Sequence, residues 1–297
     1  MDLLTQLNSA VAYIEENICD DIELEKISSV TNYSPYHFGR IFYYIADMPL
    51  SEYIRKRKLS LAAMELQTST IKVIDLAVKY GYDNADSFTR AFVKQHGATP
   101  TEARLSGVVL KIFPPITFQI KIQGVQAMNW RIEEREAFEV FGIEKIFKND
   151  EMGNIPNFWS ECYHVGKYHK LLNDAGGNGE EHFPDTGISV VNAVGAYYDP
   201  GEGKYPYMIC AFKKDGCKTD GYKILSLPKT TWAVFRSGEA DDPAAGIGSL
   251  YKQAYGEWLP SSPGYDRTSG PDMELYYMAK SKKYYNEVWI PVAKKNS

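Results

Sequence analysis

Two arginines stand in matching settings fifty residues apart: Arg40 in "FGRIF" and Arg90 in "FTRAF". A guanidinium can bind guanine O6 and N7 through two parallel hydrogen bonds, worth about 1–3 kcal/mol of base discrimination. A different chemistry is offered by Glu274, a carboxylate inside the alternating apolar stretch "DMELYY". A charge in such a strand has to be paired or solvated. A cation ringed by aromatic side chains would meet that need through charge and cation–π attraction. Catalytic constellations are weakly represented. Cys162 and His164 lie near His169, but two residues apart on a helix they point to different sides. There is no Gly-x-Ser-x-Gly, phosphate loop or zinc-ligand spacing. "CYHVGKYH" reads as an ordinary helix, and no metal site or cofactor is expected.

The arginines sit in helical sequence. "LLTQLNSAVAYIEENI" repeats Leu4, Leu7, Val11, Ile14 and Ile18 at three- and four-residue steps, an amphipathic helix. "LEKISSVTN" and "SPYHFGRIFYYIAD" follow, with Ser34 as N-cap and Pro35 as first helical residue. "PLSEYIRKRKLSLAAMELQTS" predicts a long helix that buries Tyr53, Leu59, Ala63 and Leu66. "IKVIDLAVKYG" and "NADSFTRAFVKQHG" complete the set. Five positions repeat in register: Ile27 with Ala77, Val30 with Tyr80, Phe38 with Phe88, Arg40 with Arg90 and Phe42 with Phe92. The duplicated unit is helix, tight turn, helix, so two helix-turn-helix modules are expected on a connecting helix. In such a module the N-terminal residues of the second helix reach base edges. That places Tyr36 and Arg40 on the first recognition helix, and Asp86, Thr89 and Arg90 on the second. Lys94, Arg104 and the "RKRK" patch with Arg55 and Arg57 suit phosphates, which give affinity without sequence information.

After Gly107 the texture changes. "VVLKIFPPITFQIKIQG" alternates like strands, and residues 108–297 hold 28 of the 40 aromatic side chains. Strands are expected at 130–143, 187–194, 205–213, 222–237, 273–280 and 286–292. Helices are expected in "PNFWSECYHVGKYHKLL" and "AAGIGSLYKQAYGEWL". "FEVFGIEKI" before one helix parallels "TWAVFRSGE" before the other, and two strands follow each. The expected fold class is therefore an all-α N-terminal domain, 1–107, and an α+β C-terminal domain, 108–297, of duplicated strand-helix-strand-strand. Its curved sheet would carry two helices on one face and a cleft on the other. Aromatics on such a sheet make an apolar, polarizable cleft. The candidate walls around Glu274 are Phe141, Phe158, Trp159, Tyr163, Tyr207, Trp232, Tyr276 and Trp289.

Bulk properties agree with a soluble two-domain chain. The 297 residues contain 44% hydrophobic and 24% charged residues. The net charge of −5 conceals a basic segment, eleven Lys and Arg against seven acids between Lys26 and Arg104. No apolar run spans a membrane, and the N-terminus lacks the basic region of a signal peptide. Cys19, Cys162, Cys210 and Cys217 are widely spaced, as in a cytoplasmic protein with reduced thiols.

"GYDNADSFTRAFVKQHGATPTEAR" resembles the second helix-turn-helix signature of the AraC/XylS transcription regulators. "YSPYHFGRIF" and "YIRKRKLSLAAMEL" resemble that family's first recognition helix and linker helix, and the resemblance covers about 8–107. It implies double-stranded promoter DNA and RNA polymerase as partners. Family members often carry long polar side chains where this chain has Gly39 and Asp86. Gly39 cannot read a base; Asp86 accepts only, and so pairs with cytosine N4 or orients an arginine. Residues 109–297 resemble the GyrI-like effector-binding domain, in "EVFGIE", "IPNFWSECY", "LPKTTWAVFRSG" and "WLPSSPGYDRTSGPDMELYYM". The domain order is that of the Rob type. In this resemblance Glu274 matches the pocket acid of multidrug-sensing members, which implies a small apolar or cationic effector.

Three readings follow. The chain is a one-component transcription regulator, a ligand- or toxin-sequestering protein, or a small-molecule hydrolase with a tethered DNA-binding domain. The first is preferred, without enzymatic activity. Two modules in one chain suit a monomer or weak dimer.

Overall fold

The three- and four-residue steps of Leu7, Val11 and Ile14 close into helix α1 (Leu3–Glu16), with all three buried, in a computed structural model of the chain. The structure describes residues 3–20, 22–31, 33, 35–105, 107–119, 128–177, 179–198, 200, 204–262 and 264–295. Contacts group the chain into two compact units: Met1–Phe38 with Met48–Gln119, and Gly39–Asp47 with Ile120–Ser297.

The first unit is helical. α2 (Leu24–Thr31) and α3 (Pro35–Ala46), whose residues from Gly39 on group with the second unit, form the first helix-turn-helix pair; α4 (Leu50–Thr68) leads to the second, α5 (Val73–Lys79) and α6 (Ala85–His96). The repeat is a repeat of core positions: Ile27, Ala77, Phe38, Phe88, Phe42 and Phe92 are all fully buried. Pro35 opens α3 as expected, while its cap, Ser34, lies outside the described residues. α6 has a complete pair of caps. Asn84 accepts a hydrogen bond from the Ser87 N–H at 2.8 Å, and Gly97 ends the helix at φ 77°, in the left-handed region that glycine enters without a Cβ penalty. The predicted stripe of α4, Tyr53, Leu59, Ala63 and Leu66, is buried.

Residues 120–124 lie outside the described residues, and residues 108–119 do not form the strand that the alternation of 108–124 predicts. Their backbone is held by side chains of the first unit, not by a sheet partner. Arg57 Nη1 donates to the Phe113 carbonyl at 2.5 Å, and the Phe113 N–H donates to Ser60 Oγ at 2.9 Å. Asn8 exchanges two hydrogen bonds with the Phe118 backbone. These bonds satisfy the backbone groups of Phe113 and Phe118 that a ladder would otherwise pair.

From residue 128 on, the described residues of the second unit form one antiparallel sheet with helices. Its strands are β1 (Trp130–Arg135), β2 (Phe138–Lys148), β3 (Asn192–Gly195), β4 (Lys204–Phe212), β5 (Lys223–Leu227), β6 (Thr230–Arg236), β7 (Tyr265–Arg267), β8 (Asp272–Met278) and β9 (Tyr284–Lys294). They run β1-β6-β9-β8-β3-β4-β2-β5, with β7 also on β9. The single expected strands 130–143 and 222–237 each divide. The second breaks at Pro228, which has no N–H for a ladder. Gly142 lets β2 cross close to β4: a Cβ there would lie 2.0 Å from the Ile209 carbonyl oxygen.

After β2 come α7 (Ile155–His164) and α8 (Lys167–Asp174). After β6 comes α9 (Ile247–Lys252), which continues through a π-helical turn, Gln253–Trp258, into α10 (Leu259–Ser261). One sheet face buries Val140, Met208, Trp232, Leu275 and Trp289 as a single cluster. Glu274 and Tyr207, displaced by one residue from Leu275 and Met208 along their strands, point to the other face, where α7 and α9 lie.

Candidate functional site

Glu274 is 4% exposed and is surrounded by tyrosine hydroxyls. Tyr207 Oη donates to its Oε2 at 2.9 Å, Tyr276 Oη to Oε2 at 3.2 Å and Tyr251 Oη to Oε1 at 3.0 Å. Trp159 Nε1 in turn donates to Tyr207 Oη at 2.9 Å, so α7 is tied to the same cluster. Burial, and after it the charge of Glu274, push the phenols of Tyr207 and Tyr276 far above their ordinary range. Both therefore keep their protons and act as donors throughout the physiological range. Beside this cluster opens a cavity of about 670 Å³. Its walls include Trp159 and Tyr163 of α7, Tyr168 of α8, Tyr207 of β4 and Glu274 and Tyr276 of β8, with Tyr43 and Tyr44 from the 39–47 segment of the same unit. His182 also lines it, and burial holds its imidazole below the usual histidine range.

Five of the nine expected ligand residues thus meet: Glu274, Tyr276, Trp159, Tyr163 and Tyr207. Four do not. Trp232 and Trp289 pack against each other, centroids 5.9 Å apart, in the cluster on the opposite sheet face. Phe141 packs on Tyr222, and Phe158 lies edge-on to Phe147 as core. The expectation of a cleft on the helix-free face is corrected in the same way. The cavity is on the helix-bearing face, because the parity of β8 sends Glu274 there with the side chains of α7 and α9.

The expected nucleic-acid residues divide too. Asp86, Arg90 and Lys94 are exposed at four-residue steps along α6, and Thr89 is half-buried between them. Arg55 is exposed on α4. Tyr36 and Arg40 fall in the first two turns of α3, but their side chains lie outside the described residues. Arg57 is a correction. It is 5% exposed and its fork holds both oxygens of Glu15, at 2.6–3.0 Å, so it cannot reach a phosphate. Arg104 is half-buried, and its terminal nitrogens donate to the carbonyls of Ser69 and Ile71, fastening the loop between α4 and α5.

Comparison with known proteins gives the same division of the chain. A helix-turn-helix domain family matches residues 27–106, and the GyrI-like small molecule binding domain matches residues 128–293. The right origin-binding protein of Escherichia coli (strain K12) is 30% identical over 290 residues, 95% of this chain and 94% of that protein. The chain belongs to the AraC-type helix-turn-helix regulators that carry a GyrI-like domain. Over the helix-turn-helix part, the HTH-type transcriptional activator AarP of Providencia stuartii is 39% identical across 100 residues, 34% of this chain and 74% of that protein. The regulatory protein SoxS of Escherichia coli (strain K12) is 32% identical across 98 residues, 33% of this chain and 92% of that protein.

The AraC-type part is the DNA-binding element of a transcription regulator, and the GyrI-like part is its small-molecule-binding element. Among the described residues no helix is long and apolar enough to cross a membrane, and no cluster of His, Cys, Asp and Glu is arranged to hold a metal ion. Sequence reasoning missed Tyr251, a direct donor to Glu274, and the cavity residues Tyr43 and Tyr44. The spacing of Tyr251 and Tyr255 was the available signal. Tyr255 bonds Asp272 as Tyr251 bonds Glu274.

Proposed function

We propose that the GyrI-like domain binds an apolar, aryl-bearing cation in the cavity beside Glu274, and that occupancy sets the affinity of the helix-turn-helix modules for promoter DNA. The observation that carries this reading is the carboxylate of Glu274, buried in an aromatic cavity and held by phenolic hydroxyls. Phenols supply hydrogen bonds without supplying charge, so they hold the carboxylate in place as an electrostatic anchor. Cation–π attraction to aromatic rings of the cavity lining is worth about 2 kcal/mol or more per contact where water is excluded. A ligand changes regulation only through unequal affinity for two states of the protein.

On DNA, Tyr36, Arg40, Asp86, Thr89 and Arg90 take the base-facing positions, and Arg55 and Lys94 contact phosphates. The two modules enter successive major-groove segments about 34 Å apart. The chain works in the cytoplasm as a monomer or weak dimer and recruits RNA polymerase. The cavity binds and does not catalyse. Cys162 is 1% exposed with its thiol pushed up by burial, and His164 Nδ1 lies 2.7 Å from a carbonyl of its own helix.

The test is calorimetric titration with the tetraphenylarsonium cation and with neutral triphenylphosphine oxide. Glu274→Gln weakens the cation by roughly tenfold or more and leaves the neutral compound within about twofold. Equal losses for both would remove the counter-charge role.

A further inference from the structure

We propose that Tyr44, with Tyr43 beside it, is a ligand-contacting residue of the effector cavity, so that occupancy is sensed by helix α3 itself. The inference rests on the cation reading above and adds the residue through which that site is read. Residues 39–47 belong to the same compact unit as the sheet. Tyr43 and Tyr44, both half-buried, line the cavity together with Glu274, Tyr276 and Trp159. The Tyr44 ring stacks on Tyr251, with centroids 4.1 Å apart and planes 12° from parallel. Tyr251 is the side chain that donates to Glu274 Oε1. Tyr43 packs edge-on to Tyr44 at 5.4 Å. One residue beyond Tyr251, Lys252 pairs with Asp47 at 2.6 Å, directly after the end of α3.

These contacts form a short physical chain. A cation drawn to Glu274 arrives at the carboxylate that Tyr251 is bonded to, and it meets a ring wall that includes Tyr44. A tyrosine that gives its hydroxyl to the carboxylate and its face to a second ring cannot reorient without disturbing both. Tyr44 lies one helical turn beyond Arg40 and two beyond Tyr36. The residue in contact with the ligand is therefore on the helix that bears the first pair of candidate base contacts. Coupling of this kind is reciprocal: DNA that holds α3 changes affinity for the cation by the factor by which the cation changes affinity for DNA.

The experiment uses the full chain and tetraphenylarsonium. Amide hydrogen exchange is followed across 39–47 with and without the cation, and binding is measured by calorimetry in the parent, Tyr44→Ala and Tyr44→Phe. The expected result is slower exchange in 39–47 of the parent when the cation is present. Tyr44→Ala loses that protection and roughly tenfold in affinity, the size of one partly desolvated cation–π contact. Tyr44→Phe, which keeps the ring, retains both. If the parent binds the cation but 39–47 exchanges unchanged, or Tyr44→Ala binds as the parent does, the role of α3 is overturned and the ligand class stands. If the parent does not bind the cation, both fall.

Discussion

Arg57 brings a full charge into the interior of the first unit, and three groups meet it. Glu15 takes its fork, Tyr53 Oη donates to the same carboxylate at 2.6 Å, and the Phe113 carbonyl takes the remaining terminal nitrogen. Burial opposes ionisation of Glu15, but Arg57 and Tyr53 outweigh it and hold the carboxyl below its usual range. A depressed carboxyl contributes stability that is present above its unfolded value and lost as pH falls through the folded one. Removing one partner of a buried pair leaves the other uncompensated, so Arg57→Ala lowers the stability of the first unit by about 3 kcal/mol in urea titrations. It also weakens the acid dependence that Glu15 gives. The same substitution leaves the slope of log K against log salt for DNA binding as it was, while Lys94→Ala reduces that slope by about one. A reduced slope in both variants would return Arg57 to the phosphate-contacting set. The sequence could not separate Arg57 from Arg55, because a basic run states charge and not direction. Its position four residues past Tyr53, on the predicted buried stripe of α4, was the clue that "RKRK" read as one patch concealed.

At the scale of elements, α6 depends on its ends. Asn84 satisfies an N–H that the helix itself cannot, so Asn84→Ala costs about 1 kcal/mol, read as a lower melting midpoint of the first unit. No shift would mean that solvent caps the helix equally well. The helices and their repeat were legible because burial imposes a 3.6-residue period, and the fifty-residue match pinned Phe38 to Phe88 and Phe42 to Phe92 as core. The strap at 108–119 was not legible: its alternation is that of a strand, but side chains far away in sequence supply its partners. The cavity was half legible. Glu274 stood out as an acid in an apolar strand, yet aromatic content cannot say which sheet face a ring takes, and Trp232 and Trp289 went to the other one. Tyr251 and Tyr255 were readable in principle. Four residues of helix rise about 6 Å and two of strand about 7 Å, so an i, i+4 tyrosine pair can meet an i, i+2 acid pair. Asp272 and Glu274 receive them in that order reversed, Tyr255 on Asp272 and Tyr251 on Glu274.

At the scale of the whole molecule, the two compact units have separate cores, so two unfolding transitions are the expected outcome of scanning calorimetry. A ligand that binds only the folded second unit stabilises that unit by about 2.7 kcal/mol at a hundredfold excess over its Kd. Scanning calorimetry with increasing tetraphenylarsonium therefore moves the transition of the second unit upward with concentration. A transition that stays fixed at saturating cation would mean that the cation does not select the folded state.

Of the five tryptophans in the chain, Trp159 is the one that lines the cavity, and its indole N–H is tied to the hydroxyl that holds Glu274. Its ring also stands edge-on to Tyr276 at 5.5 Å. An indole in that position is an intrinsic optical reporter. Indole emission responds to a change of polarity or to a positive charge a few ångströms away, so a change in tryptophan fluorescence is the expected label-free sign of a ligand entering this cavity.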